Sequence, residues 1–430
     1  MQASSTLIET LLLTALSVIT PPSQHQSMTS SLLEFHVAPM QCITNQPLRI
    51  LLDKLSPSSI KWTEMEKVED LLPDVDQALA KRLGAADDKD EESFEKLVLQ
   101  LGSNDPVKLK ECSRVALNNY ESLREINLNC GCPAIASGGA PTYGASLMTQ
   151  PKLTSELVAS IAELGVPVSV KTRIAVFEQA EDLRPLDDVD RQYLKEYLSG
   201  IVAAGASHVI LHARPAVLAG LSPVKNRIVP SLDYSLCEEM AKELPGYQVT
   251  LNGGITSLDQ LKLLHERHVH DNECISSYMA GRWILKRPLD LVQVENFLIG
   301  QRDVSSQVNF RNIQESLTSY IDYCMKHSCR QGGQRAPRFS SSDLMLPLFL
   351  VVEQLREDYD DNDDDTKLAL SFGEMEELYD MLLEGMEEVS RGKISPPGNS
   401  ACNFKKLSTS FKGLVGTKVV NKWKRNRGEL

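Results

Sequence analysis

The sequence predicts an α/β protein, a closed (β/α)8 barrel of the TIM type followed by a smaller C-terminal helical domain. Three observations carry this. Eight short apolar segments recur between residues 33 and 280, and most are separated by stretches of helical periodicity. Nearly every segment ends in polar or glycine-containing residues, as barrel strands do at their functional face. The length of 430 residues suits one barrel of about 250 residues with an appendage. The expected organisation is a targeting or disordered extension over 1–30, a barrel over 31–300, and a helical domain over 301–430 with an acidic insertion near 356–366.

The predicted strands are 33–38, 61–65, 96–101, 125–129, 167–173, 208–213, 247–252 and 273–280. The first ends in Pro39-Met40-Gln41, and the third contains Gln100. In the fourth, alternating Ile126 and Leu128 suit a buried strand; Gly131 and Pro133 end it, leaving Asn129 and Cys132 where the chain departs. The fifth contributes Lys171 and Arg173, and the sixth ends in His212-Ala213-Arg214. The seventh ends in Asn252-Gly253-Gly254 and the eighth runs into Gly281-Arg282. Helices are expected at 151–165, 188–205, 235–244 and 257–267, with Gly165 and Gly205 as C-terminal stops. Further helices at 309–325, 344–355 and 373–389 precede a basic C-terminus.

Any one strand-end residue is more often a satisfied structural group than a functional one, but repetition on one rim argues for a site. An exposed Cys132 is a candidate acid or nucleophile, set against the bland alternative of a buried structural thiol. Glycines after strands seven and eight allow backbone amides close approach to a phosphate, and Arg282 adds a charge-assisted contact. A phosphorylated cofactor is therefore expected. No GxGxxG follows a strand, so a dinucleotide-binding fold is not supported.

With 42% hydrophobic and 24% charged residues the chain can bury a sizeable core. Net charge of -13 argues against wholesale electrostatic binding of nucleic acid. Charge is uneven, however. Acid concentrates at 85–92 and 356–365, which read as solvated or disordered insertions. Lys405, Lys406, Lys412, Lys418, Lys422, Lys424, Arg425 and Arg427 form a basic end with no acid until Glu429. The nine cysteines lack paired CxxC spacing, which points away from a metal site and toward a reducing compartment. The first 30 residues are rich in Ser and Thr, with an apolar run at 11–19 too short to span a bilayer. They suggest an organellar address, a plastid one, or a disordered extension on a cytoplasmic protein, although the basic start of a secretory signal is absent.

The motifs Val37-Ala38-Pro39-Met40, Leu99-Gln100-Leu101-Gly102 with Asp105-Pro106, Asn127-Leu128-Asn129-Cys130-Gly131-Cys132-Pro133, Val168-Ser169-Val170-Lys171-Thr172-Arg173, His212-Ala213-Arg214, Asn226-Arg227, Leu251-Asn252-Gly253-Gly254 and Met279-Ala280-Gly281-Arg282 together resemble those of tRNA-dihydrouridine synthases. The segment from His212 through Arg227 most resembles the bacterial A-type branch, which modifies positions 20 and 20a. The resemblance implies an FMN barrel and a helical tRNA-binding domain, with NADPH (or NADH) as reductant, a monomeric protein, and no membrane or stable protein partner. It implies flavin contacts from Pro39, Met40, Gln41, Gln100, Lys171, His212, Asn252, Gly253, Gly254, Gly281 and Arg282. It assigns the proton donor to Cys132, uracil contacts to Asn129 and Arg173, and tRNA contacts to Arg227, Lys418 and Lys424. An ordinary thiol titrates near 8.5 and keeps its proton at neutral pH, which suits a donor better than a nucleophile.

Three departures stand out. Ser146 occupies a position where the A-type branch often has a second Cys, Pro215 and Val224 replace family lysines, and two extra residues lie between Lys418 and Trp423. Two other functional classes compete. A flavin barrel acting on a small pyrimidine would share the phosphate motifs but have no use for the basic tail. A non-catalytic tRNA-binding protein would have no need of Cys132, Lys171 and His212 together.

Overall fold

The computed structural model describes residues 33–84, 94–133, 143–270, 275–300, 310–328, 339–360 and 370–391. The expectations for 1–30, 85–92, 361–366 and the basic end with Lys418 and Lys424 lie outside the described residues.

Eight parallel strands form the barrel: β1 Glu34–Val37, β2 Lys61–Trp62, β3 Leu97–Gly102, β4 Glu125–Cys130, β5 Val168–Arg173, β6 His208–His212, β7 Gln248–Asn252 and β8 Ile275–Ala280. Their spatial order is β1-β8-β7-β6-β5-β4-β3-β2. A parallel bridge between His36 and Ile60 closes the ring, with Val37 N donating to Ile60 O at 2.9 Å and Ile60 N to Phe35 O at 2.8 Å. All eight expected strands are present. The second is shorter than expected because the Thr63 hydroxyl accepts from Gln100 N at 3.0 Å, replacing the next ladder bond. Pairing with β3 resumes only at Glu66–Lys67. A further two-stranded sheet, Val176–Phe177 with Ala216–Val217, joins the loops beyond β5 and β6. Two-residue strands leave no periodicity to detect.

Strands buried on both faces read as near-continuous apolar runs because helices cover the outside and side chains fill the inside. The main helices are α1 Gln46–Leu55, α2 Val75–Leu83, α3 Pro106–Asn119, α4 Pro151–Ala162, α5 Asp188–Ala203, α6 Tyr234–Lys242, α7 Leu258–His270, α8 Arg282–Lys286 and α9 Asp290–Gly300. Asp105-Pro106 is a helix start: Asp105 Oδ1 accepts from Val107 N and Lys108 N, and Pro106 opens α3 where no amide is needed. Gly205 ends α5 at φ 113°, and a Cβ there would lie 2.6 Å from Ala162. Inside the barrel, Ala38, Ile60, Trp62, Val98, Ile210 and Met279 form an apolar plug.

Below the plug lies a buried polar floor. His208 Nδ1 is 3.1 Å from Glu125 Oε2, and its Nε2 is 2.7 Å from Thr250 Oγ1. Trp62 Nε1 donates to His36 Nδ1 at 3.1 Å, so the lone pair at that nitrogen must be retained. Burial pushes His36 below its ordinary 6.5. Burial also works to raise the Glu125 carboxyl, but the charge and hydrogen bond of His208 outweigh it and hold Glu125 below 4.5. In each case the unfolded chain takes up protons that the folded chain refuses, so stability falls with falling pH. Melting temperature is expected to decline as pH drops through 6.5, where unfolded His36 protonates. The decline should steepen below 4.5, where Glu125 in the unfolded chain protonates. A melting series by intrinsic fluorescence in a Glu66→Gln background checks this, because burial raises Glu66 to about 7 and its shift acts in the opposite direction; a flat profile from pH 7 to 4 would contradict it.

Three helices follow the barrel: α10 Phe310–Ser328, α11 Ser341–Asp360 and α12 Phe372–Arg391. Helix α10 meets α1, where Lys54 Nζ donates to Ser319 Oγ and Ser316 Oγ to Lys54 O, both at 2.8 Å. Helix α11 meets the end of the barrel, where Gln354 Nε2 donates to Asp290 Oδ1 at 2.9 Å and Leu289 N to Gln354 Oε1 at 2.8 Å. Arg287 forms a fork on Asp358, with bonds of 2.7 and 3.1 Å, and its Nε also reaches Asp290. The expected acidic insertion is thus corrected over residues 356–360. They continue α11, and Asp358 is buried because Arg287 neutralises it. Among the described residues, no helix is long and apolar enough to cross a membrane.

Candidate active site at the C-terminal rim of the barrel

Strand register brings the expected residues to one rim. Asn129 stands opposite Lys171, Arg173 opposite His212, and His212 opposite Asn252. Arg173 is buried and ties three loops together through the carbonyls of Gly131 at 3.1 Å, Pro215 at 3.2 Å and Asn226 at 3.3 Å. Arg282 Nη2 donates to Arg227 O at 3.4 Å, placing both arginines on this rim. Asn252 is buried and donates to Met279 O at 2.8 Å.

The glycines are required by space. Gly253 has φ 108°, and a Cβ there would sit 2.6 Å from His212 Cδ2; at Gly254, with φ 78°, it would sit 2.4 Å from Leu232 Cδ1. Tyr234 fixes this turn by donating its hydroxyl to Gly253 O at 2.6 Å. A Cβ at Gly281 would lie 3.0 Å from Met40 Sδ, so the ends of β1 and β8 approach closely. Gly253→Ala is expected to cost about 1–3 kcal/mol through backbone strain and displacement of His212. Thermal melting and retained flavin measure it, and a variant matching wild type in both would contradict the assigned crowding.

Cys132 is half-buried on a turn with little freedom. Its amide donates to Asn129 Oδ1 at 3.0 Å, and its carbonyl accepts from Ala145 N at 2.8 Å. Gly144, at φ 74°, leaves no room for a side chain, since a Cβ would come 2.5 Å from that carbonyl. Cys130 differs. It is fully buried, and desolvation pushes its thiol up to about 12. The two thiols of one turn are thus separated into an inert wall residue and an accessible one.

The rim carries Lys171, Arg173, Arg214, Arg227 and Arg282, together with His212. Among the described residues none of them is paired with a carboxylate, and the hydrogen bonds that Arg173, Arg214 and Arg282 donate go to backbone carbonyls. Burial, then Arg173, lowers Lys171 to about 7. Burial lowers Arg173 to about 10, and burial with the surrounding cations holds His212 well below its ordinary value. So much uncompensated positive charge calls for an anion.

Pro39 and Met40 are half-buried at the end of β1, whereas Gln41 is exposed and donates to Glu64 Oε2 at 3.1 Å. Gln100 is buried below Asn129, accepting from its Nδ2 at 2.8 Å. Asn226, which the sequence offered only as part of the Asn226-Arg227 motif, is buried and closes the loop beyond β6 by bonding both N and O of Val217. Sequence reasoning missed Tyr234 and the inward roles of Asn127 and Ser169. No group of three or more metal-ligating side chains gathers among the described residues.

A parallel barrel whose C-terminal rim gathers cations that, among the described residues, pair with no carboxylate, together with two positive-φ glycines and a clamped, accessible thiol, is the arrangement of an α/β-barrel enzyme. Residues 36–369 match the dihydrouridine synthase (Dus) family, and the chain belongs to that family. It is 31% identical to the tRNA-dihydrouridine(20/20a) synthase of Shewanella oneidensis over 67% of this chain and 77% of that protein. It is 33% identical to the enzyme of the same name from Xanthomonas campestris over 69% of this chain and 82% of that one. The counterpart from Escherichia coli K12 is 31% identical over 63% of this chain and 71% of its own length. The family is flavin-dependent in general, and the rim fits a flavin phosphate through its glycine turns and unpaired cations.

Proposed function

We propose that this protein reduces the bond between carbons 5 and 6 of a D-loop uridine in tRNA, at position 20 or 20a, using FMN and NADPH (or NADH). The single observation that carries this reading is the accessible Cys132 thiol, clamped beside rim cations that pair with no carboxylate among the described residues. Pro39, Met40, Gln41, Gln100, Lys171, His212, Asn252, Gly253, Gly254, Gly281 and Arg282 are the residues that would hold the flavin, with Gly253, Gly254 and Arg282 on its phosphate. FMN, when bound and reduced, supplies a hydride to one carbon of the double bond. Cys132 delivers a proton to the other carbon. Asn129 and Arg173 hold the uracil, and Lys171, His212 and Arg173 meet negative charge developing on its carbonyls. Neutral His212 does so as a hydrogen-bond donor, Arg173 as a cation.

A stacked base cannot enter such a rim, so the uridine is turned out of the tRNA at a cost of a few kcal/mol, on the order given for other base-flipping enzymes. Arg227 on the rim, and Lys418 and Lys424 in the basic end, offset that cost through phosphate contacts that carry no sequence information. Deleting residues 403–430 is expected to weaken tRNA binding and flatten its salt dependence. The test is NADPH oxidation by the purified yellow protein with unmodified tRNA and with free uridine. Turnover on tRNA alone supports the proposal; equal turnover on the free pyrimidine, unaffected by the deletion, assigns the barrel to small-molecule chemistry.

A further inference from the structure

Asn129 Oδ1 accepts from two backbone amides, Gly131 N at 3.1 Å and Cys132 N at 3.0 Å. Backbone N–H groups only donate, so the oxygen of this carboxamide must face the turn and its nitrogen must face away. That nitrogen donates to Gln100 Oε1 at 2.8 Å, which orients the second amide. Gln100 Nε2 then donates to Asn127 Oδ1 at 2.9 Å, and Asn127 Nδ2 to Ser169 Oγ at 2.8 Å. Gln100, Asn127 and Ser169 are register neighbours on β3, β4 and β5, and Asn127 and Ser169 are wholly buried. Three amides therefore share one direction. Reversing any of them would set donor against donor at buried positions.

We propose that Asn127 and Ser169 are positioning residues for proton delivery, fixing through Gln100 and Asn129 the turn that aims Cys132. This rests on the reading of Cys132 as the proton donor. Neither residue is at the rim; both act through the chain of amides. Asn127→Leu keeps the approximate shape and removes both bonds, while Ser169→Ala removes only the last acceptor and Ser169→Thr restores it.

The experiment compares these variants with Cys132→Ala and the Asn127→Leu/Cys132→Ala double variant, using the flavin-loaded full chain and unmodified tRNA. Asn127→Leu is expected to lower kcat about tenfold with KM for tRNA within about twofold, the pattern of a lost transition-state interaction. It should also alter the rate at which iodoacetamide alkylates the Cys132 peptide, followed by mass spectrometry, and add nothing in the Cys132→Ala background. Ser169→Ala should lower kcat less, with recovery in Ser169→Thr. If Asn127→Leu does not fold, the Ser169 pair decides, since losing one hydroxyl leaves the packing intact. Wild-type kcat and alkylation in the foldable variants, or an equal loss in the Cys132→Ala background, overturns the positioning role. Full activity of Cys132→Ala instead overturns the proton-donor reading, a result separable from failure of the relay alone.

Discussion

Replacing Cys132 by Ala is expected to lower dihydrouridine formation by about 10²–10⁴-fold, the range general acid catalysis supplies. The substitution removes the accessible thiol without disturbing the turn. Its clamps are backbone atoms, namely the amide bonded to Asn129 and the carbonyl bonded to Ala145. Melting temperature and flavin content should therefore remain close to wild type while turnover falls. The matching change at Cys130 separates packing from chemistry. Cys130 is fully buried, so Cys130→Ala leaves a small cavity, lowers stability and spares the chemical step. Each variant is measured by turnover on unmodified tRNA and by thermal melting. Loss of activity at Cys130 with none at Cys132 would reverse the assignment of the two thiols.

Arg287→Ala is expected to destabilise the protein by about 3 kcal/mol, because truncating one partner strands buried charge on the other. Asp290 and Asp358 both lean on this guanidinium, and Asp358 is 4% exposed. Burial raises the Asp290 carboxyl above its ordinary value, and the neighbouring Asp358 carboxylate adds to the rise. Without Arg287 the two carboxylates would confront each other where helix α11 meets the barrel. Arg287→Lys should recover only part of the loss, since an ammonium cannot reproduce the fork on Asp358. Denaturant or thermal unfolding measures both variants. A loss below about 1 kcal/mol would mean that the pair behaves as an ordinary surface ion pair.

The barrel was legible in the sequence because each strand combines a short apolar run with a rim residue of distinct chemistry, as in Leu128-Asn129 and Leu251-Asn252. Helix stops at Gly165 and Gly205 were legible for a local reason, their left-handed φ. Asp358 was misread because charge alone does not reveal a partner 71 residues away. The amide relay was hidden for a related reason. Asn127 and Ser169 look like ordinary polar strand residues until register sets them beside Gln100. Likewise, the positive rim could be expected residue by residue. That no carboxylate answers it among the described residues is a property of three dimensions.

The most direct measurement is position-resolved mass spectrometry of tRNA that lacks dihydrouridine, after incubation with the purified protein, FMN and NADPH. A gain of two hydrogens at a D-loop uridine, at position 20 or 20a and formed about 10²–10⁴-fold more slowly in Cys132→Ala, is expected. Unchanged tRNA under conditions in which the flavin is bound and NADPH is consumed would contradict dihydrouridine formation by this site.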